Sequence, residues 1–451
     1  MSQLAGRRAE RRVAIATVVG TTVEWYDFFL YASAAGLVFK QAFFAPAGPS
    51  IGIVLSFATV GISFLFRPLG AFLAGHFGDR LGRRAVLVTT LIGMGGATTL
   101  IGLLPSYASM GIAAPILLVL LRILQGVSAG GEWGGAVLLA VEHAAPERRG
   151  RTGAFPQMGV PIGLLLANGM LALMGVLAPG DAFTAWGWRI PFLLSFVLVL
   201  FGYLVRRTVQ ESPVFAEIAQ RRQQASVPII TLFRRHAPLV LLAAFTFAGN
   251  NAAGYMTTGG YIQNYATDPD GPVRLARGPV LLAVTAAAAL WLLTTWAGGV
   301  ASDRFGRRNV YILGWFFLLA TVFPMFALVD TGNIWLLFCG LCLFTVGIGL
   351  TYGPQAAFFA ELFPASVRFS GVSIAYALGA IIGGAFAPTI ATALVQATGT
   401  TVSVGVYLAG MAVLALIATL LLRDRSGIDL GPDNEAEQAS GAVRGRSAIG
   451  R

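Results

Sequence analysis

The chain has 451 residues, of which 56% are hydrophobic and only 11% charged, with a formal net charge of +11. So little polar surface cannot cover a soluble globule of this size, which excludes a water-soluble domain and places the chain in lipid. The basic balance does not indicate nucleic acid, because no basic stretch is interleaved with aromatic residues and nearly all the arginines fall in short loops.

Four arginines, Arg7, Arg8, Arg11 and Arg12, precede an apolar run that begins at Val13. Ala32-Ser33-Ala34 has the small residues of a leader cleavage site, but Glu24, Trp25, Tyr26 and Asp27 stand where a leader holds only small or apolar residues, so the segment reads as a retained first helix. Apolar windows long enough to cross a bilayer then fall near 13–36, 50–74, 85–104, 112–140, 152–178 and 188–207. A second set follows near 238–263, 279–300, 309–329, 333–359, 367–396 and 402–422. The expected fold is therefore an all-α polytopic membrane protein of twelve transmembrane helices in two six-helix halves, residues 1–207 and 238–422. Residues 208–237 are polar and read as a linker on the cytoplasmic side, while 423–451, rich in Ala, Gly, Ser, Glu and Arg without heptads, reads as a disordered tail.

One loop pattern occurs twice. Gly75, Asp79, Arg80, Gly82, Arg83 and Arg84 return as Gly299, Asp303, Arg304, Gly306, Arg307 and Arg308, an offset of 224 residues, about half the chain. A repeat of this length after the second and the eighth apolar runs indicates two related halves. Gly-x-x-x-Asp-Arg-x-Gly-Arg-Arg at those places resembles the loop signature of the major facilitator superfamily of transporters. The charge pattern agrees with twelve spans and both termini in the cytoplasm. The loops then assigned to the inside carry Arg80, Arg83, Arg84, Arg148, Arg149, Arg151, Arg304, Arg307, Arg308 and Arg368, against little beyond Lys40, Arg189, Arg274 and Arg277 outside.

Charges inside apolar spans are expensive, about 2.5–3.5 kcal/mol each at a helix centre, and need a reason. The first half holds five: Glu24, Asp27, Arg67, Arg122 and Glu132. Thr17, Thr21, Glu24, Asp27 and Tyr31 follow at steps of three or four and share one helix face, which lines a cavity. Rise per residue sets Glu24 about 16 Å and Asp27 about 21 Å from the inner end, and Arg67 about 12 Å from the loop at Gly75. Asp27 with Arg122, and Glu24 or Glu132 with Arg67, are the expected pairs. Three acids against two arginines leave a surplus carboxylate, Asp27 or Glu24, as the expected proton carrier. The second-half spans carry no such charges; Asn250, Asn251, Tyr255, Tyr261, Trp291, Tyr352, Gln355 and Tyr376 offer hydrogen bonds and aromatic walls there, and Tyr31, Gln157, Arg67 and Arg122 join them as candidate substrate contacts from the first half.

The remaining features imply no cofactor and no metal. Cys339-x-x-Cys342 lies inside an apolar run where small thiols pack, and His76, His143 and His236 are scattered. Gly347-x-Gly349 with Gly353 has the wrong spacing for a dinucleotide site. The glycines at helical spacing, Gly126, Gly130 and Gly134, and Gly379 and Gly383, point to close helix packing.

Gly20 through Tyr31, Phe66-Arg67-Pro68-Leu69-Gly70, Arg122 through Gly126, Gly130-Gly131-Glu132-Trp133-Gly134-Gly135 and Trp186 through Phe192 are similar, in order, to the metabolite:proton symporters. That resemblance covers nearly the whole chain. It implies a proton-coupled importer in the inner membrane, acting as a monomer on a small organic acid of the shikimate or dicarboxylate kind, with a zwitterion such as proline or betaine as the alternative. It further implies that Asp79, Arg83, Glu142 and Arg149 on one side, and Asp303, Arg307, Glu361 and Arg368 on the other, form inner salt-bridge clusters that latch the outward-open state. The fifth span, Gly153 through Gly163, lacks the Gly-Pro-x-x-Gly-Gly of the superfamily's drug antiporters, which disfavours proton-driven efflux. No nucleophile with a convergent base is visible, so no enzyme activity is expected.

Overall fold

The computed structural model describes residues 2–81, 83–206, 228–258 and 261–444, with the side chains of 12–74, 88–204, 232–254 and 261–444. Among the described residues eleven helices are long and apolar enough to cross a membrane, and Val88–Leu103 is a shorter apolar helix in the third position. Among the described residues there is no β-strand, only a single bridge between Leu422 and Val443. The expected twelve-helix architecture is the one found. Large apolar side chains point outward along these helices, among them Leu69, Phe72, Val176, Phe196, Leu293 and Phe316, as they must where lipid replaces water.

Two helices are interrupted near their middles, in matching positions of the two halves. The fourth runs Ala113–Ala129 and resumes as Glu132–Glu142 after a glycine pair; the tenth runs Ile334–Tyr352 and resumes as Gln355–Leu362 after Gly353-Pro354. The first and eleventh each contain a π-helical turn, Ala35–Phe39 and Ile381–Ala385. Such breaks free backbone groups within the membrane and are tolerated where the helix is packed in protein or lines a cavity.

Small residues set the helix spacing. A Cβ on Gly126 would sit 2.1 Å from the Ser63 carbonyl oxygen, and one on Gly130 2.0 Å from that of Arg67, so the second and fourth helices touch backbone to backbone. Gly383 meets Ala248 equally closely, 1.9 Å from its carbonyl oxygen, which joins the eleventh helix to the seventh. Between the halves, the fifth helix lies along the eighth, where Gly150 and Gly299 face each other.

Two expectations change. Residues 228–237 belong to the helix Pro228–Thr258, so the linker is shorter than the sequence suggested; 208–227 lie outside the described residues. The tail is not disordered as far as Arg444. It folds back on the bundle with a short helix Glu435–Ala439, and Leu430, Gln438 and Ala442 are buried. Its composition offers little apolar surface to fold by itself; what holds it is hydrogen bonding to arginines of the bundle, which composition cannot reveal.

Candidate functional site

The first helix presents its polar face inward: Thr17, Thr21, Glu24, Asp27 and Tyr31 are all buried. The second helix turns at Phe66 and brings Arg67 against that face, with its Nη2 3.3 Å from Glu24 Oε1. Of the two acids considered for Arg67, Glu24 is the one seen paired. Neither side chain is more than 1% exposed. Aromatic faces surround the guanidinium, with Phe28 at 4.3 Å, Phe64 at 4.7 Å, and Trp25 and Tyr376 at 5.9 Å from its carbon, while Nε is buried with no hydrogen-bond partner.

Arg122 is held differently. Nε donates to the Thr59 carbonyl at 3.2 Å, Nη2 to that of Val60 at 3.3 Å and Nη1 to Gln125 Oε1 at 2.6 Å. Its carbon sits 3.7 Å above the Tyr31 ring, and Tyr31 itself shares a 2.6 Å hydrogen bond with Thr59. The expected direct pair with Asp27 is therefore replaced by a relay: Gln125 Nε2 donates to Thr98 Oγ1 at 2.6 Å, and Thr98 lies beside Asp27. Asp27 Oδ1 accepts from Ser195 at 2.9 Å, and Oδ2 is buried without a hydrogen-bond partner. Thr98, Gln125 and Ser195 escaped the sequence reading because such residues in membrane helices usually bond their own backbone. Glu132, fully buried, opens the second piece of the broken fourth helix, whose free N–H groups favour a carboxylate.

Between the halves lies a small cavity lined by Trp25, Phe29 and Val160 from one half and Asn250, Asn251, Gly254, Trp291 and Tyr352 from the other. It gathers three of the predicted contacts, Asn250, Trp291 and Tyr352. Asn250 is fixed by donating to the Ile348 carbonyl at 3.3 Å and to Thr351, whereas Trp291 Nε1 is buried with no partner. Gln157 and Tyr376 belong to an adjoining aromatic stack. Trp133 lies parallel to Tyr376 at 3.8 Å, Phe247 covers Tyr376 at 4.2 Å, and Trp133 Nε1 donates to Gln157 Oε1 at 2.9 Å. Gln157 in turn donates to the Tyr352 carbonyl at 3.3 Å. Tyr31 and Gln355 are buried but do not line the cavity, and the Tyr255 side chain lies outside those described. Asn251, expected beside Asn250, also lines the cavity. Trp25, Phe29, Trp133 and Phe247 are additions; aromatic residues in an apolar helix carry no signal that separates a cavity wall from packing.

The arginine-rich end of the bundle is closed by charge. Arg307 bonds Asp303 one turn earlier and lies 3.3 Å from Glu361 through Nε. Arg149 reaches Glu361 at 3.5 Å, and Arg368 reaches Glu142 at 3.5 Å. Asp303 also accepts the N–H groups of Gly150 and Arg151, both at 2.8 Å, capping the fifth helix. Beside the pairs that Arg307 makes within its own half, Arg149 and Glu142 pair with residues of the other half. Gly306 turns the chain at φ +89°, a conformation that favours glycine. Arg304 is exposed on the rim and Arg308 binds the Thr419 and Leu420 carbonyls of the twelfth helix, so neither joins the cluster. Gly75, Asp79, Arg80, Gly82, Arg83 and Arg84 lie outside the described side chains. Among the described residues no group of His, Cys, Asp and Glu is arranged for a metal ion.

Twelve membrane-crossing helices in two halves, with buried charge in one half, a cavity between them and ion pairs joining them at one end, define a polytopic membrane transporter. The chain belongs to the Major Facilitator Superfamily, whose family model matches residues 17–381 and 281–449. It is 41% identical over 426 residues to the inner membrane metabolite transport protein YhjE of Escherichia coli (strain K12), covering 92% of this chain and 94% of that one. The shikimate transporter of the same organism is 39% identical, over 92% of this chain and 94% of its own. The structure of the proton:xylose symporter XylE bound to 6-bromo-6-deoxy-D-glucose shares the fold, with a TM-score of 0.76 over 96% of this chain and 99% of that one at 16% identity.

Proposed function

We propose that this protein imports a small organic acid of the shikimate or dicarboxylate type across the inner membrane together with a proton, by alternating access, with the arginine-rich end in the cytoplasm. The observation that carries the reading is the unequal state of the two buried arginines. All three nitrogens of the Arg122 guanidinium donate to protein acceptors, whereas Arg67 has one ion pair and an unpartnered Nε behind the Trp25 wall of the cavity. A carboxylate entering from the cavity is therefore bound by Arg67. Glu24 balances Arg67, and Asp27 is held by a serine hydroxyl instead of a cation. Asp27 is then the surplus carboxylate, and it carries the proton.

A zwitterion such as betaine is the second reading, favoured by one feature: four aromatic side chains, Trp25, Phe29, Trp291 and Tyr352, line a cavity whose wall includes no cation. The test is external alkalinisation of weakly buffered vesicles on adding shikimate, α-ketoglutarate, succinate, proline or betaine. The expected result is a response to an acid that is lost with Asp27→Asn while substrate exchange persists. A response to betaine alone selects the second reading, and no response with no labelled uptake overturns both.

A further inference from the structure

The segment from Arg423 to Arg444 lies across the ion pairs at the arginine-rich end. It is clasped to the twelfth helix where it leaves and where it returns, with Arg423 N–H donating to the Ala442 carbonyl at 3.0 Å and Arg444 N–H to that of Leu421 at 2.9 Å. Between these points it bonds the cluster repeatedly. Asp424 accepts the Arg308 N–H at 3.0 Å, the Gly427 N–H donates to Glu361 at 3.2 Å, and the Leu430 carbonyl accepts from Arg368 at 2.9 Å. The Ile428 carbonyl accepts from Arg149, a residue of the first half.

Gln438 is the hub of these contacts and is 1% exposed. Its Oε1 accepts from Arg368 Nη2 at 2.9 Å and from the Ala365 N–H at 2.7 Å. Its Nε2 donates to the carbonyls of Asp429 at 2.7 Å and Gly431 at 2.8 Å, which shapes the loop that carries Ile428 and Leu430.

Buried guanidinium groups have more donors than single carboxylates can satisfy. Among the described residues, Arg149 and Arg368 make the two ion pairs that join the halves, and the segment supplies the carbonyl and amide oxygens that complete both. Separation of the halves at this end draws Arg149 away from Glu361 and from the Ile428 carbonyl together. We propose that Asp424 through Gln438 is a strap that holds this end closed, with Gln438 as its positioning residue, and that the strap's bond to Arg149 is surrendered each time the transporter opens there. The inference rests on alternating access, not on the identity of the substrate.

Spin labels at E147C and N309C, exposed positions in opposite halves, report the opening in lipid nanodiscs once Cys339 and Cys342 are replaced by serine. The full chain is compared with one ending at Arg423 and with Gln438→Leu, which retains the whole segment. Loss of charge-assisted hydrogen bonds predicts a rise of about tenfold in the long-distance population for the truncation and about threefold for Gln438→Leu. Equal populations in the full chain and in Gln438→Leu overturn the strap, whether or not the truncated chain folds. The measurement needs no substrate, so it fails or succeeds independently of the proposed cargo.

Discussion

Arg67 and Arg122 are both arginines buried in apolar helices of the first half, and their surroundings give them opposite tasks. Arg122 donates to the carbonyls of Thr59 and Val60 and packs on Tyr31, so it ties the second helix to the fourth. Arg67 keeps a donor in reserve. Arg67→Gln is expected to weaken substrate binding by at least about tenfold, the scale of one charge-assisted hydrogen bond, with a modest change in melting temperature. Arg122→Gln is expected to do the reverse, lowering the melting temperature by removing the buried hydrogen bonds to Thr59, Val60 and Gln125. Binding calorimetry and thermal unfolding in detergent separate the two, and equal losses of affinity would remove the distinction. The double variant Glu24→Gln with Arg67→Gln recovers stability but not binding.

At the scale of elements, the breaks in the fourth and tenth helices matter more than the helices around them. Gly130 and Gly131 let Glu132 begin a fresh helix at mid-membrane, which turns a costly buried carboxylate into a helix-end residue. The same glycines press the fourth helix onto the second, and a side chain at Gly130 would meet the Arg67 carbonyl, moving the arginine itself. Gly130→Ala is expected to destabilise the protein by about 1–3 kcal/mol and to impair substrate binding through the displaced Arg67. Gly96→Ala, where nothing lies within 4 Å of the added carbon, is the control expected to change neither. Melting curves and binding for the two variants provide the check, and identical behaviour would count against the packing account.

In the proposed alternating access one half moves against the other, so ion pairs that cross between halves weigh more than those within one. Arg149 with Glu361 and Arg368 with Glu142 cross; Arg307 with Asp303 does not. A pair made in one conformation and broken in the other biases a small energy gap even when its net stabilisation is slight. Glu142→Arg is expected to slow turnover several-fold with little change in affinity, and adding Arg368→Glu is expected to recover most of the rate. Transport kinetics in proteoliposomes test this, and a double variant no better than the worse single one would place the pair outside the gate.

The twelve apolar runs, the duplicated loop and the face from Thr17 to Tyr31 were legible in the sequence, because each is a periodic or repeated pattern along the chain, and local geometry converts such patterns directly into helices, turns and a polar face. The twelve helices and the burial of that face are as the pattern required. Partnership was not legible. The sequence allowed Glu24 or Glu132 for Arg67, and only packing put Glu24 at 3.3 Å. It suggested an arginine for Asp27, where the fold supplies Ser195 from 168 residues away. It read the tail as disordered, yet Gln438 is buried on Arg368. In each case the choice rests on groups distant along the chain that meet only when helices pack, and one chain's composition and spacing carry no record of which distant groups those are.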